Sequence, residues 1–520
     1  MKTNKTRAKK LLLSLFAMLM PLLASAYFEV GGIYYNITSD IDKSVEVTSS
    51  IGTRYSGSIT IPSTVTYKGV TYSVTSIGNS AFYRCGNLTS ITLPEGVTNI
   101  GNSAFDECSS LTSIIIPRSV VSIGDFAFEE CSLTSITIPE SVTSIGDLSF
   151  YGCSSLTSIV VVKDNIVYDS RNGCNAIIET ASNTLVTGCS ATIIPNTVTS
   201  IGYYAFGHCS INSVTIPENV TCIGDCAFYR CDNLTSITLS EGVTSIEYSA
   251  FGKCSKLISV TIPRSVTSIG NSAFHGCDNL TEVIFNSNPQ LGSLALPDNT
   301  IKLLGLTDFY AEDFNTTNSN TYSTITYHRE LASGKYGTIM LPFSPDAESL
   351  ENFAFYSLTS AENDMLIFDE VEAPQANTPY LFSLREGKSA IQITGGETTI
   401  SSVITNPEEV NGWQMIGSFT NQTIATSEDA DNYYYAYTSA DNQLHKVTKT
   451  LNVKPYRAYF VTDTANPTQL AVRTRNGETT LIDAAEVEDF STGKYYDLSG
   501  RRVENPTKGL YIVNGKKVIL

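Results

Sequence analysis

The chain has 520 residues and a formal charge of −18, and removing the five basic residues of its first ten positions (Lys2, Lys5, Arg7, Lys9, Lys10) leaves 28 basic against 51 acidic side chains. So acidic a surface repels nucleic acid and anionic lipid, and the length exceeds what one hydrophobic core organises. Only 16% of residues are charged, while Ser, Thr, Ile, Val and Tyr are abundant, which favours extended β structure over helix bundles.

Residues 1–26 combine a basic stretch ending at Lys10, an apolar run from Leu11 to Leu23 and the small residues Ala24-Ser25-Ala26. This is the pattern of a secretory signal peptide; the run is too short for a membrane span and is broken by Pro21. No later stretch is apolar enough to span a bilayer, so no transmembrane segment is expected in the mature chain. Residues 27–76 read as an N-terminal cap with a first partial repeat, in which Ile59-x-Ile61-Pro62 is strand-like and Tyr67-Lys68-Gly69 a hairpin turn.

From residue 77 to 285 the motif I-G-x-x-A-F-x-x-C recurs at about 23-residue spacing, with its Ile at 77, 100, 123, 145, 201, 223, 246 and 269. One unit reads Leu88-x-x-Ile91-x-Leu93-Pro94, then Val97, Ile100, Gly101, Ala104, Phe105 and Cys108. The alternation at 91 and 93 predicts a half-buried strand that Pro94 ends. Gly101 then permits a tight turn, and Asn102 is placed to cap a short helical turn carrying Ala104, Phe105 and Cys108. Asn79, Asp125, Asp147, Asp225 and Asn271 repeat that acceptor, while Tyr203 and Tyr248 depart from it. One unit cannot cover its own open ends, so units must stack, strand on strand, into a β-solenoid.

The period breaks between Ile145 and Ile201, where an insertion near 162–191 reads as a β meander: Ile166–Asp169, Ala176–Thr180 and Thr184–Val186 as strands, with Asn172-Gly173 and Ser182-Asn183 as turns. Leu280-x-x-Val283-x-Phe285 is the last recognisable repeat strand, and residues 286–326 read as the solenoid end and a linker. Residues 327–475 are rich in aromatic and β-branched segments, which predicts an antiparallel β-sandwich-like domain. An acidic spacer and a short β segment occupy 476–520. The fold class expected is therefore mainly β: a leucine-rich-repeat solenoid with short helical turns, a sandwich-like domain and a small C-terminal β segment.

The residues that could carry chemistry point away from catalysis. Cys85, Cys108, Cys131, Cys153, Cys209, Cys231, Cys254 and Cys277 each lie eight residues after a repeat Ile and form one column, expected as buried free thiols. Cys174 and Cys189 flank the meander and could bridge. Cys222 and Cys226 lack a second pair or a nearby His for zinc. The four histidines (His208, His275, His328, His445) are scattered, and neither G-x-S-x-G nor a phosphate-binding glycine loop is present. No catalytic residue, metal or cofactor is therefore expected. The outward strand positions Ser90, Thr92, Ser113, Ser135, Thr137, Ser213, Thr215, Ser236, Thr238, Ser259 and Thr261 form a candidate ligand-contact face, against the plainer reading of a solvated β face. A glycan-binding or hydrolytic module in 327–475 is the alternative, with Trp413, Tyr433, Tyr434 and Tyr435 available to stack on sugar rings, against the favoured reading of these rings as sandwich core.

The full repeat, L-x-x-I-x-I-P-x-x-V-x-x-I-G-x-x-A-F-x-x-C over about residues 58–285, resembles the BspA-like family of leucine-rich-repeat proteins. That resemblance implies a curved solenoid on a bacterial surface, in a family that includes adhesins, and hence a protein ligand such as host matrix or another cell's surface. The stretch from Tyr496 to Val518, with Gly509-Leu510-Tyr511-Ile512-Val513 at its centre, resembles the sorting tails of type IX secretion cargo, although it is shorter.

Overall fold

The computed structural model describes residues 27–298, 300–307, 318–329, 336–362 and most of 365–474, together with short strands between 495 and 519. The leader read at residues 1–26 lies outside the described residues, as does most of the acidic spacer. The fold is mainly β: stacked coils followed by a β-rich C-terminal region, with one short α-helix among the described residues, at Ala347–Asn352.

Each coil contributes two short strands and a turn segment. The longest ladder is built not by the L-x-x-I-x-I strands but by the residues before the repeat glycine. Asn99–Ile100, Ser122–Ile123 and Ser144–Ile145 pair in parallel, as do Ser200–Ile201, Cys222–Ile223, Ser245–Ile246 and Ser268–Ile269. The L-x-x-I-x-I strands pair more intermittently: Gly57–Thr60 with Leu88–Thr92, Ser135–Ile138 with Ser158–Val161, and Ser213–Thr215 with Ser236–Thr238. Residues 111–116 keep the alternating burial without strand pairing.

The turn segment is wound differently from a helical turn. Local bonds such as Ala104 N to Gly101 O (3.2 Å) and Cys108 N to Phe105 O (3.1 Å) alternate with bonds to the next coil, such as Phe105 N to Ala127 O (2.8 Å) and Glu107 N to Glu129 O (2.8 Å). The residues three and seven after the repeat Ile take left-handed backbone, for example Ser103 (φ 52) and Glu107 (φ 56), which stops an α-helix from propagating. Asn102 correspondingly takes a partner other than the helix start: its Oδ1 accepts from Asp125 N at 3.1 Å, and its own N–H donates to Asn79 Oδ1 at 2.8 Å. The Asn/Asp column is a side-chain ladder between coils. Gly101 is required by close approach, since a Cβ there would lie 2.6 Å from Asn79 Oδ1 and 2.7 Å from Asn79 N.

Inside the coils the phenylalanines stack. Phe82, Phe105, Phe128 and Phe150 follow one another at 5.1, 5.4 and 5.5 Å, and Phe206, Phe228, Phe251 and Phe274 at 4.8, 5.2 and 5.0 Å. The meander between them divides the apolar interior in two. On the Ala176–Glu179 strand, Ile177 joins the first core while Ala176 and Ile178 join the second, because successive side chains point to opposite faces.

The ladder runs past Phe285, through the segment expected as solenoid end and linker. Ile301–Thr307 pairs in parallel with Glu282–Phe285, and Thr324–His328 with Ile301–Thr307. These strands lack the repeat motif, so their pairing rests on β-branched and aromatic residues meeting an open edge. Gln392–Gly395 then pairs antiparallel with Thr324–His328 and ties the solenoid to the C-terminal region. That region is a nine-stranded, largely antiparallel sheet that curls until its first strand meets its last two, with Ala458 N donating to Thr338 Oγ1 (3.2 Å) and Met340 N to Tyr456 O (3.1 Å). One face holds a separate core around Phe368, Trp413 and Phe460, and Phe353, Phe355 and Phe382 pack into the solenoid's second core. Residues Tyr495–Tyr496, Arg502–Val503, Leu510–Val513 and Lys516–Ile519 form a four-stranded sheet.

Candidate interaction surface

On the L-x-x-I-x-I face, Ile91, Ile136, Val214, Ile237 and Val260 point into the core, so the residues flanking them must point out. Thr92, Ser113, Ser135, Thr137, Ser213, Thr215, Ser236, Thr238, Ser259 and Thr261 are exposed, and Ser90 is half-buried with its hydroxyl bonded to Ser58 Oγ at 2.7 Å. The register lines them up coil to coil: Ser213 faces Ser236 and Thr215 faces Thr238. Ser113 sits on the unpaired stretch. The result is an uncharged hydroxyl and methyl surface, able to donate, accept and make apolar contact at regular spacing.

Three residues missing from that expectation lie on the same row or beside it. Ile115 is 84% exposed, Val160 46% and Ile193 77%. Ile115 and Val160 stand where other coils carry the second hydroxyl, Val160 directly opposite Thr137. The signal was in the sequence, as the coils whose outward residue is aliphatic instead of Thr. An aliphatic side chain on an outward position contributes nothing to the coil's own core.

The eight column cysteines are free and buried. Six of the thiols donate to the phenylalanine carbonyl of the preceding coil, among them Cys108 to Phe82 O at 3.2 Å, Cys131 to Phe105 O at 3.1 Å, Cys231 to Phe206 O at 3.0 Å and Cys277 to Phe251 O at 3.0 Å, whereas Cys85 reaches Tyr83 O. Burial raises the Cys85 thiol to about 11 and the Cys153 and Cys209 thiols to about 12, so they stay neutral and unreactive at physiological pH. Cys174 and Cys189 are free as well: the first packs in the second core and the second in the first core, on opposite sides of the partition strand. Cys222 is partly exposed and Cys226 buried, and among the described residues no three His, Cys, Asp or Glu gather as a metal site.

The sugar-stacking expectation for Trp413 meets a physical obstacle. Its ring is 4% exposed and lies 4.8 Å from that of buried Tyr435, so both rings are core; Tyr433 and Tyr434 are only half-buried. Among the described residues no helix is long and apolar enough to cross a membrane.

No curated protein matches the chain. Among solved structures it is similar to a leucine rich cell surface protein from Faecalibacterium prausnitzii, at 26% identity over 53% of this chain and 90% of that one, with a TM-score of 0.35. It is similar to a leucine-rich repeat protein from Bacteroides capillosus, at 30% identity over 26% of this chain and 98% of that one (TM-score 0.23), and to the pneumococcal vaccine antigen PcpA, at 19% identity over 54% and 87% (TM-score 0.41). Residues 75–180 and 184–302 match the family model described as the BspA type leucine rich repeat region, in 6 copies.

Proposed function

We propose that this is an exported, surface-displayed protein that binds a protein ligand, on host matrix or on another cell, through the L-x-x-I-x-I face, and performs no catalysis. The observation that carries the reading is the row of exposed hydroxyls interrupted by Ile115, Val160 and Ile193. Isolated apolar side chains are ordinary on a surface, but here they sit on a regular face of a repeat solenoid, the kind of surface such folds use for partners. The leader-like residues 1–26 and the tail resembling type IX sorting segments support export, and the net charge of −18 argues against nucleic acid.

The test is saturable binding of the full chain to a panel of purified matrix proteins and intact partner cells, repeated with Ile115→Glu and Val160→Glu together. Binding that falls at least about tenfold in the double variant, with melting unchanged, supports the face; binding unaffected by it places the contact elsewhere. Protease shaving of intact cells, with mass spectrometry of released peptides, checks display independently.

A further inference from the structure

The turn segments make a second surface, along the edge of the solenoid, whose charge reverses halfway. Seven residues after the repeat Ile, the six inner coils carry Glu107 and Glu130, then Gly152 and His208, then Arg230 and Lys253, between Arg84 of the first coil and Gly276 of the last. One residue earlier in the same two coils, Glu129 is partly exposed and adds to the acidic half, while Asp106 is buried. The reversal falls at the meander, where the strand side of the solenoid is interrupted but one edge contact remains: Gly152 N donates directly to Gly207 O at 3.3 Å.

The middle of this edge is apolar in a way the fold does not require. Three residues after the repeat Ile the backbone is left-handed, and five of the eight coils place a small residue there: Ser80, Ser103, Cys226, Ser249 and Ser272. Beside the seam the same position holds Phe126 (φ 57), Leu148 (φ 54) and Tyr204 (φ 50), large side chains in a conformation that L residues adopt at a cost. Phe126 is 37% exposed, and Tyr203, whose ring meets Tyr204 at 4.6 Å, is 50% exposed.

We propose that this edge is the contact between two copies of the chain, related by a twofold axis through the seam. Counting coils outward from the axis, the operation sets Gly152 against His208, Glu130 against Arg230 and Glu107 against Lys253, each pair occurring twice, as an isologous contact demands. The same operation sets Leu148 against Tyr204 at the centre, with exposed Tyr203 beside them. A parallel copy in register would instead set Glu107 against Glu107 and Glu130 against Glu130. Glu130 and Arg230 are exposed and make no ion pair among the described residues, so both are available. Glu107 already pairs with Arg84 at 2.8 Å and contributes less. Burial, and after it the neighbouring carboxyls of Asp106, Glu130 and Glu107, push the Glu129 carboxyl up, and an opposing basic half relieves that second, repulsive part.

The experiment is sedimentation velocity of the full chain over a concentration series, at low salt and at about 0.5 M salt, where charges a few ångströms apart are largely screened. The expected result is a dimer that weakens at least about tenfold at high salt and in either Glu130→Arg or Arg230→Glu alone. Equimolar mixing of those two variants should restore it. In the heterodimer the two substituted positions face each other with their charges exchanged, while the unaltered Glu130 and Arg230 face each other as in the parent. Recovery on mixing also shows that both variant chains are folded. A chain that stays monomeric at low salt to on the order of 100 µM overturns the proposal. So does a dimer indifferent to both single substitutions, or failure to recover on mixing when both variants keep the parent circular dichroism and melting.

Discussion

The two halves of the solenoid carry the same repeat, with the same phenylalanine stack and inter-coil ladder, yet they differ in what closes them. The first half ends at the meander, its core bounded by the partition strand and the N-terminal hairpins. The second is continuous with residues far away in sequence, from Cys174 through Phe285 and Tyr322 to Phe382 and Tyr456. A repeat array is held by nearest neighbours, so identical coils have different stabilities depending on what lies at their ends. The second half should be the more persistent unit, since the C-terminal sheet covers its open end.

The strongest way to break that comparison is to remove a stacked ring from each half. Phe105→Ala and Phe228→Ala both delete a fully buried side chain with stacked neighbours on two sides, at about 3–5 kcal/mol each. In hydrogen exchange with mass spectrometry, the first should open residues 34–161 and leave the second half protected. The second should open residues 201–285 together with the strands around Phe353 and Phe382. Uniform loss of protection in both variants would show one cooperative unit instead of two.

The partition strand gives a sharper version. Ile177→Ala and Ile178→Ala alter adjacent, fully buried residues that face different cores, each at about 2–5 kcal/mol. Their exchange patterns should separate as those of the phenylalanine pair do. Smaller effects test the links between coils. Asn102→Ala leaves Asp125 N without its 3.1 Å acceptor and should cost about 1 kcal/mol in chemical denaturation, confined to the first half.

Smallest is an electrostatic term that only the first half has. The Glu129 carboxyl is pushed up to about 7, first by burial and then by Asp106, Glu130 and Glu107. The folded state therefore holds this proton more tightly than the unfolded chain: the group's stabilising contribution is full below its ordinary value of 4.5 and is lost as pH rises through about 7. Glu129→Gln should raise melting at neutral pH by the equivalent of about 1 kcal/mol, discounted because the carboxyl is partly open to solvent, and the gain should vanish near pH 4.5.

The reading of the turn segment shows where local inference fails. Gly101 and Asn102 look like a turn and a helix cap, because glycine and asparagine do those things within one chain segment. Their actual partners are the equivalent residues of the neighbouring coil, about 23 positions away, and no local pattern announces that Gly101 is needed for clearance. The dominant ladder before the glycine is likewise hidden from a sequence reading, since two residues per coil show no alternation. Of the candidate face, the hydroxyl row was readable from the period of two, and the same period places Ile115 and Val160 outward among the hydroxyls.

By itself the sequence determined the repeat, its period, the inward and outward residues of each strand and the buried cysteine column, because stacking makes every coil's environment a copy of its neighbour's. Only the tertiary structure decided that the meander splits the core, that strands without the motif extend the ladder to His328, and that Phe353, Phe355 and Phe382 close the second core. Those outcomes depend on which surfaces meet across long stretches of chain, and the burial they bring is a property of the assembled coils and sheet, not of any one segment.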